Sequence, residues 1–412
     1  MNEYKADIEA DISAVIDRKE TVALIEPLLI AEGSRHRGEL TDLAVEVAAR
    51  SAGFRRSLPD GVRTALADLV RAMNCYYSNL IEGHDTHPVD IERALKNDYS
   101  NDPRKRDLQL EAKAHITIQQ WIDTGGLAGY PLSLAGIKEI HRRFCELLPD
   151  ELLWIDNPDT GGERLKVVPG QLRDRDVRVG QHVPISPGAV PRFLAHCEGA
   201  YGRLGRTDAI LSAAAAHHRL LWIHPFLDGN GRVVRLVSHA TLLETLDTGG
   251  IWSVARGLAR NVAAYKSHLA NCDRPRRNDL DGRGNLSEEA LAAFTRFFLK
   301  LCIDQVSFME ELVQPDRLRT RILMWTEEEI RLGHLPPKSG SILESVLYRG
   351  ELPRGDAANI VGTGDRQARR IVSALVDKGV LTSESSRAPL RLAFPAALAS
   401  RWMPGVFPER TE

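Results

Sequence analysis

The chain has 412 residues, of which 43% are hydrophobic and 27% are charged, and its formal net charge at pH 7 is −2. This composition is typical of a globular protein, and the chain is too long for one ordinary core, so we expect two or three domains. The near-neutral charge argues against general attraction to nucleic acid or membrane surfaces, although a single domain could still be basic.

The cysteines and the N-terminus indicate the compartment. The five cysteines are odd in number and lack paired spacing, which favours reduced thiols in a cytosol over a disulfide framework or a zinc site. The first residues, MNEYKADIEADISAV, are polar and acidic, so no signal peptide is predicted. No run of about 18 apolar residues occurs, so we expect no membrane span and a cytoplasmic protein.

Most of the first 310 residues carry the apolar periodicity of helices. A helix is predicted at 62–81, with Asp60 as its N-cap and Gly83 as its C-terminal stop. Further helices are predicted at 133–148, 190–201, 208–223, 231–246, 262–270 and 287–314. Residues 164–191 instead show short β-like runs, such as Val177-Arg178-Val179, between prolines and glycines, which predicts a hairpin or flap.

The pattern changes near residue 335. Predicted helices at 341–348 and 354–360 are followed by a turn at 362–364, a longer helix at 365–378 and two strands around a polar wing. This is the order of a winged helix-turn-helix. Arg366, Arg369 and Arg370 lie on the third helix, where they would suit contacts with DNA phosphates. The same features would equally suit a small partner-docking or dimer-forming domain with solvated arginines.

The stretch HPFLDGNGRVVR, residues 224–235, combines residue types that a phosphate site needs. Pro225 disfavours helical geometry at His224, so His224 should end the alanine-rich helix before it. Gly229 and Gly231 permit a tight turn. A helix that begins at Asn230 or Gly231 would offer its free N–H groups and its dipole to a pyrophosphate.

The charged side chains of this stretch complete the site. Arg232 and Arg235 share one helical face and could hold two phosphates. Asp228 is a hard oxygen ligand suited to a Mg²⁺ ion carried by the phosphates, and His224 would be the general base. A GxG turn or a histidine before proline is common in structural loops. A cluster of His, Asp and two Arg is not explained by core packing, because burying these polar groups costs free energy. No P-loop motif is present.

At this point the stretch resembles the signature HPFx[D/E]GNGRxxR of the Fic domain family, which it matches at every specified position. VRVGQHVPISPGAVP is similar to the target-clamping flap of that family. The resemblance covers roughly residues 60–300. It implies a mainly α-helical fold with a short β-hairpin flap, and the winged helix is an appendage. We therefore expect an N-terminal helical region (1–125), a Fic core (126–315) and a winged helix-turn-helix (335–404).

The resemblance implies transfer of AMP from ATP, with Mg²⁺, to a Ser, Thr or Tyr hydroxyl of a target protein or of the enzyme itself. His224 would deprotonate the hydroxyl and Asp228 would hold Mg²⁺. Asn230 would polarise the α-phosphate together with the glycine N–H groups. Arg232 would bind the inner phosphates and Arg235 the γ-phosphate.

Two further sets of residues follow from the resemblance. The flap would pair with the target segment as an added strand. Its residues are Val179, Gly180, Gln181 and His182. Tyr265 and Asn271 lie where relatives often carry contacts with the nucleoside, although a plain core role would suit them equally.

SNLIEG, residues 78–83, is similar to the [S/T]xxxE[G/N] inhibitory motif of Fic proteins. Ser78 and Glu82 are four residues apart and share one helical face. In isolation, a glutamate at a helix C-terminus meets the negative end of the dipole and would simply reach water. In the family it pairs with the second arginine of the core motif, here Arg235, which then cannot hold the γ-phosphate. Some relatives also use this glutamate to remove AMP.

The leading expectation is therefore an autoinhibited protein adenylyltransferase, with a homodimer as the default assembly. One alternative is a nucleotide-sensing transcriptional regulator in which the winged helix binds DNA. Another is a Fic transferase that uses a different donor, such as UTP or a phosphocholine carrier. Every catalytic position is intact, which a pure sensor would not require.

Overall fold

The computed structural model describes residues 15–156, 162 and 164–408. Within these ranges the chain is mainly helical, so the predicted fold class is confirmed. The helices are α1 (Arg37–Arg56), α2 (Asp60–Ile81), α3 (Pro88–Leu95), α4 (Pro103–Asp123), α5 (Leu134–Glu146), α6 (Val190–Tyr201), α7 (Arg206–Ile223), α8 (Asn230–Leu246), α9 (Ala255–Arg260), α10 (Val262–Cys272), α11 (Glu288–Leu312), α12 (Pro315–Arg331), α13 (Ser339–Arg349), α14 (Ala357–Val361), α15 (Asp365–Asp377) and α16 (Ala399–Trp402).

Five short strands form two antiparallel sheets in the described part of the chain. The strands are β1 (Trp154–Asp156), β2 (Arg164–Lys166), β3 (Glu351–Leu352), β4 (Leu381–Thr382) and β5 (Leu390–Leu392). In the β1–β2 pair Ile155 lies opposite Leu165, and the second sheet has the order β3-β5-β4. None of the described helices is both long and apolar enough to cross a membrane.

The contacts divide the chain into two compact units, and each unit combines three separate stretches of sequence. The first unit comprises the described residues of Met1–Thr41, Leu127–Thr241 and Lys266–Thr295, and the second those of Asp42–Gly126, Leu242–Tyr265 and Arg296–Glu412. The three predicted domains (1–125, 126–315 and 335–404) stay a prediction.

In the first unit, α6 packs against both α5 and α7. The start of α5 is explained by Ser133, whose hydroxyl accepts a hydrogen bond from the N–H of Gly136 as an N-cap. The alanines of α7 (213–216) are all buried, because their small side chains let neighbouring segments approach closely. The predicted helix at 190–201 agrees with α6 at both ends, and the one at 208–223 begins two residues earlier, at Arg206.

In the second unit, α2 packs against α3, α4 and α9. Its predicted N-cap was wrong: Asp60 is the first helical residue and pairs with Arg63, while Pro59 holds the N-cap position without a side-chain hydrogen bond. The predicted stop is confirmed, because Gly83 adopts φ +89° and its N–H donates to Leu80 O. A left-handed glycine after a helix satisfies the last carbonyls without a Cβ penalty.

The predicted flap is only partly β-structured. Val177–Val179 does not form a strand, because no partner strand lies beside it in the described chain. Instead, Val179 and His182 exchange backbone hydrogen bonds of 3.0 Å in both directions across a turn in which Gly180 has φ +61°. The paired strand of this region is β2, and its partner β1 precedes it in the chain.

The C-terminal elements follow the predicted order. The predicted helix at 354–360 is a 3₁₀ turn (Arg354–Asp356) that continues into α14, and Gly362 ends α14 at φ +57°. The apolar face of α15 is buried, which leaves its opposite face to solvent. Strand β3, between α13 and α14, was not predicted, because a pair of residues is too short to show alternation.

Candidate active site

Residues 224–229 connect α7 to α8. His224 is the C-cap of α7 and adopts the left-handed conformation, with φ 51° and ψ 66°. Only a few per cent of non-glycine residues do so, and such a conformation persists only where its surroundings hold it. The His224 N–H donates to Leu220 O at 3.0 Å, and its carbonyl accepts from Arg173 Nε at 2.8 Å. The prediction that Pro225 ends the helix at His224 is confirmed.

The imidazole of His224 is held in its neutral, unprotonated form. Burial, followed by the charge of Arg173, lowers its pKa to about 4. Its Nδ1 atom is buried and has no hydrogen-bond partner among the described residues. The ring is therefore neutral throughout the physiological pH range, which a general base requires.

Asn230, the first residue of α8, bonds through its side chain to the backbone of the loop before it. Its Oδ1 accepts from Phe226 N at 2.9 Å, and its Nδ2 donates to Phe226 O at 2.8 Å. Both the oxygen and the nitrogen of the amide therefore form hydrogen bonds within the loop. Gly229, at φ +77°, turns the chain just before the helix. These contacts fix the direction of the free N–H groups at the start of α8, whereas the predicted contact of Asn230 with an α-phosphate stays a prediction.

His141 supports the same loop from α5. Its ring stacks on Phe226, with centroids 3.9 Å apart and planes 2° from parallel. Its Nδ1 accepts from Gly170 N at 2.9 Å, so the proton is carried on Nε2. Burial lowers its pKa to about 4, and a hydrogen bond with the backbone of Asp228 opposes that shift. His141 thus holds the loop in place as a neutral ring.

The charged groups of the site lie at the start of α8. Asp228 is exposed and pairs with Arg232 at 2.9 Å, four residues later. The guanidinium of Arg232 also lies 5.1 Å from the ring centre of Phe144. Arg235, one turn further, is only 5% exposed. The two guanidiniums therefore start on the first two turns of α8, and the carboxylate lies two residues before that helix.

The residues predicted for the flap lie beside the end of α7. His182 Nε2 forms a 2.8 Å hydrogen bond with Trp222 O, and the two rings lie 5.4 Å apart. Val179, Gly180 and Gln181 are exposed. The flap is therefore attached two residues before His224, and its outward residues are accessible to another chain.

The remaining predicted site residues lie on other helices. Ser78 is buried in α2, and Glu82 is the exposed C-cap of the same helix, both in the second unit. Tyr265 is buried in α10, whereas Asn271 near its end is half-buried. Their predicted inhibitory and nucleoside roles stay predictions.

The candidate site offers a cation one exposed carboxylate, that of Asp228. The described residues contain no group of three or more His, Cys, Asp or Glu that could hold an ion. Mg²⁺ is commonly held by one or two carboxylates, phosphates and water, so the single carboxylate of Asp228 fits this role.

Two supporting residues were missed by the sequence reasoning. Arg173, within the charged run RDRD, reads as a solvated loop residue, and no local pattern marks it as buried. His141 offered a signal, because it falls on the buried apolar face of α5 with Ile137, Ile140 and Phe144. A polar residue on such a face needs a partner, which would have pointed to it.

Comparison with known proteins identifies the family that the region containing this loop matches. Residues 131–242 match the Fic/DOC family, so the chain contains a Fic/DOC family domain. The protein adenylyltransferase Fic of Drosophila grimshawi is 27% identical over 197 residues, which are 46% of this chain and 38% of that protein. The protein of the same name from Drosophila virilis is 28% identical over 170 residues, 41% of this chain and 32% of that protein. The match thus spans less than half of either relative.

Solved structures of Fic proteins are also similar. A Fic family protein from Desulfovibrio desulfuricans has a TM-score of 0.49 and 15% identity, over 89% of this chain and 98% of that chain. Fic-1 from C. elegans has a TM-score of 0.47 and 18% identity, over 68% of this chain and 74% of that chain.

Proposed function

We propose that this protein is an autoinhibited protein adenylyltransferase, which transfers AMP from ATP to a Ser, Thr or Tyr hydroxyl of a target protein. The observation that carries the proposal is the loop at 224–230. It holds a neutral imidazole in a left-handed conformation beside a helix N-terminus whose first turns carry two arginines. The match of residues 131–242 to the Fic/DOC family and the names of the curated relatives support the same reaction.

In the proposed reaction, His224 takes the proton of the target hydroxyl as its oxygen attacks the α-phosphorus of ATP. The bond from the α-phosphorus to the bridging oxygen breaks, and pyrophosphate leaves. The N–H groups at the start of α8 stabilise the charge that develops on the phosphoryl oxygens. Mg²⁺, carried by the phosphates and held by Asp228, would neutralise the leaving pyrophosphate.

Before nucleotide binds, Asp228 and Arg232 form an ion pair with each other. The two side chains satisfy each other at 2.9 Å. Binding of a Mg²⁺–nucleotide would exchange this pair, whose carboxylate is exposed and whose guanidinium is largely buried, for a metal–carboxylate contact and a phosphate–guanidinium contact.

We further propose that Glu82 inhibits the enzyme by pairing with Arg235. The motif SNLIEG, residues 78–83, supports this through its resemblance to the inhibitory motif of Fic proteins. Glu82 lies at the C-cap of α2, where the helix dipole disfavours a carboxylate by about 0.3–1 kcal/mol unless a cation compensates it. The γ-phosphate would compete for the same arginine. Removal of AMP, with Glu82 orienting water, is part of the same proposal.

The activity is tested with α-labelled ATP and Mg²⁺, with self-modification and a cell lysate as acceptors. Glu82→Gly should raise labelling by roughly tenfold or more, because it removes the competing carboxylate. Adding His224→Ala should reduce labelling by about 100-fold or more, the usual contribution of a general base. Asp85→Gly is a matched control, since it removes an exposed carboxylate three residues further on and should leave labelling unchanged.

Each arm has an outcome that would refute its part of the proposal. No labelling by either parent or Glu82→Gly would refute AMP transfer, and a different added mass in mass spectrometry would favour another donor, such as UTP or a phosphocholine carrier. Equal labelling by Glu82→Gly and parent would refute autoinhibition. The homodimer and the cytoplasmic location are proposed as defaults, and light scattering would test the former.

A second function is favoured by the C-terminal elements. We propose that α13, α14, α15 and strands β3–β5 form a winged helix that binds duplex DNA through α15. Arg366, Arg369 and Arg370 are exposed on α15, and none forms an ion pair within the described part of the chain. Three unpaired cations on one helix suit the phosphate backbone. A gel shift with random duplex DNA tests the proposal, and no binding at low salt would leave these elements as a protein-docking domain.

A further inference from the structure

A buried arginine, Arg173, lies at the entrance to the flap and is only 2% exposed. Among the described residues, every hydrogen bond of its guanidinium goes to a backbone carbonyl. The four acceptors are the carbonyls of Arg175, Ile185, Ile223 and His224. The bonds to His224 and Arg175 measure 2.8 and 3.0 Å, and the backbone N–H of Arg173 adds a bond of 2.9 Å to Pro225 O.

Burying the charged guanidinium of Arg173 costs desolvation free energy. A cation removed from water without a bonded carboxylate loses more solvation than carbonyls return. Burial accordingly lowers the pKa of Arg173 to about 10, and Asp176 and Glu20 oppose the shift only at a distance. Only the rigid fork of a guanidinium can reach four carbonyls in fixed directions. The geometry therefore has a use that a neutral side chain could not supply.

The four carbonyls belong to two structures. Ile223 and His224 are the end of α7 and the candidate base, whereas Arg175 and Ile185 lie on either side of the flap turn at 179–182. One guanidinium thus fastens both stems of the flap to the backbone of His224. The bond to the His224 carbonyl also helps to hold that residue in its left-handed conformation.

The charge of Arg173 acts on the same histidine. The ionisable groups that face His224 are Arg173 from the flap entrance, His182 from the flap and Asp228 from its own loop. Arg173 and His182 disfavour the protonated ring and Asp228 favours it. Loss of the arginine charge would therefore raise the pKa of His224, although burial still opposes protonation.

We propose that Arg173 is a positioning residue that couples the target-docking flap to the general base. A target strand that pairs with the flap would then be fixed in register with the imidazole of His224. The inference rests on the proposed AMP transfer at this loop. Because the guanidinium bonds to the flap stems and the end of α7, substitution of Arg173 should alter the placement of the acceptor and leave ATP binding intact.

Two substitutions separate the geometry of Arg173 from its charge. Arg173→Met removes both. Arg173→Lys keeps the charge, but a lysine ammonium cannot span four carbonyls. Arg18→Met is the matched control, because Arg18 makes a bidentate pair with Asp176 on the same flap stem, from the exposed side and without a contact to α7.

The experiment places these variants in the Glu82→Gly protein and measures two quantities. Hydrogen exchange of residues 174–186 reports the flap without requiring activity. Self-modification with α-labelled ATP at several pH values gives kcat/KM and the KM for ATP. We expect Arg173→Met to speed exchange and to lower kcat/KM by roughly 10- to 100-fold at unchanged KM for ATP. The acid limb of its pH profile should move to higher pH.

Arg173→Lys should show the faster exchange but keep the acid limb of the parent, and Arg18→Met should show neither change. Circular dichroism confirms that each variant is folded, and if Arg173→Met is unfolded, faster exchange in folded Arg173→Lys carries the test. Unchanged exchange in a folded Arg173 variant would overturn the inference, as would an acid limb that Arg173→Met leaves unmoved. An inactive Glu82→Gly parent would instead refute the proposed function, and exchange would still test the anchoring of the flap.

Discussion

In the loop at 224–230, polar groups are held in fixed directions, whereas the arginines of α15 project into solvent. The amide of Asn230 bonds with both backbone groups of Phe226, and His224 is anchored through its backbone. By contrast, Arg366, Arg369 and Arg370 form no ion pair within the described ranges. Group transfer requires reacting atoms within tenths of an ångström of their places, but attraction to phosphates along a duplex does not.

The two regions also differ in their effect on the stability of the folded protein. The loop contains a strained backbone at His224 and buried polar atoms, which need every supporting contact. Helix α15 buries Ala368, Ile371, Val372 and Leu375, so its opposite face can carry any charge without loss of packing. Substitutions should therefore have large effects in the loop and small ones on α15.

The largest effect should come from opening the loop at Asn230. Asn230→Asp replaces the donor to Phe226 O with an acceptor, so a buried carbonyl loses its partner. We expect labelling by the Glu82→Gly protein to fall about 100-fold, and the free energy of unfolding to fall by about 1–3 kcal/mol. Kinetics with α-labelled ATP and urea unfolding measure these changes.

Asn261→Asp is the control for this change, because it also removes an amide donor, to Gly257 O in α9. It should leave labelling within about twofold of the parent, since it lies outside the loop. Full activity in Asn230→Asp would show that the loop does not need this internal bond, and the contrast with α15 would lose its basis.

A middle-sized effect is expected on acidification. Burial lowers the pKa of His141, His218 and His224 to about 4 and that of His217 to about 3. The unfolded chain takes up these protons near pH 6.5, so stability present above that pH is lost as the pH falls towards 4. At pH 5 each histidine should cost up to about 2 kcal/mol. Urea midpoints at pH 7 and pH 5 measure the loss.

The same acidification distinguishes the two regions. Residues 338–402 contain no histidine, so they carry none of these titrating groups. Between pH 7 and pH 5, hydrogen exchange corrected for its intrinsic pH dependence should rise in α7 and the start of α8 before it rises in α15. Equal urea midpoints at the two pH values would show that the buried histidines are not held neutral.

The smallest effect on the folded protein should come from α15. Replacing Arg366, Arg369 and Arg370 together with alanine should change the free energy of unfolding by no more than about 0.5 kcal/mol per site and leave labelling unaffected. In DNA gel shifts, the slope of log affinity against log salt should become shallower by roughly three units. An unchanged slope would show that these arginines do not meet phosphates.

Local features of the fold followed from the sequence. The end of α7 at His224 was predictable, because the constraint that proline places on the preceding residue is local. The stop of α2 at Gly83 was predictable for the same kind of reason. Asp60 was misplaced because the backbone geometry at Pro59, which the sequence does not show, decides where the first turn begins.

Long-range features were not predictable. The alternation at 177–179 suggested a strand, but a strand exists only if a partner lies beside it. The strand of this region that does have a partner is β2, which pairs with β1, the strand that precedes it in the chain. Arg173 and His224 are 51 residues apart, and Gly170 and His141 are 29 apart. Periodicity cannot detect such pairs, because each residue is ordinary in its own local sequence. The motif marked the site, but its supporting contacts required the folded chain.

The left-handed backbone of His224 has a consequence for how this protein could change over time. Glycine would adopt the same conformation without a Cβ penalty, so the substitution that abolishes the base would also relieve the backbone. Loss of the base at this position would therefore relieve the backbone, as expected where stability and activity are in conflict. In a lineage released from selection for activity, folding alone would not preserve the histidine.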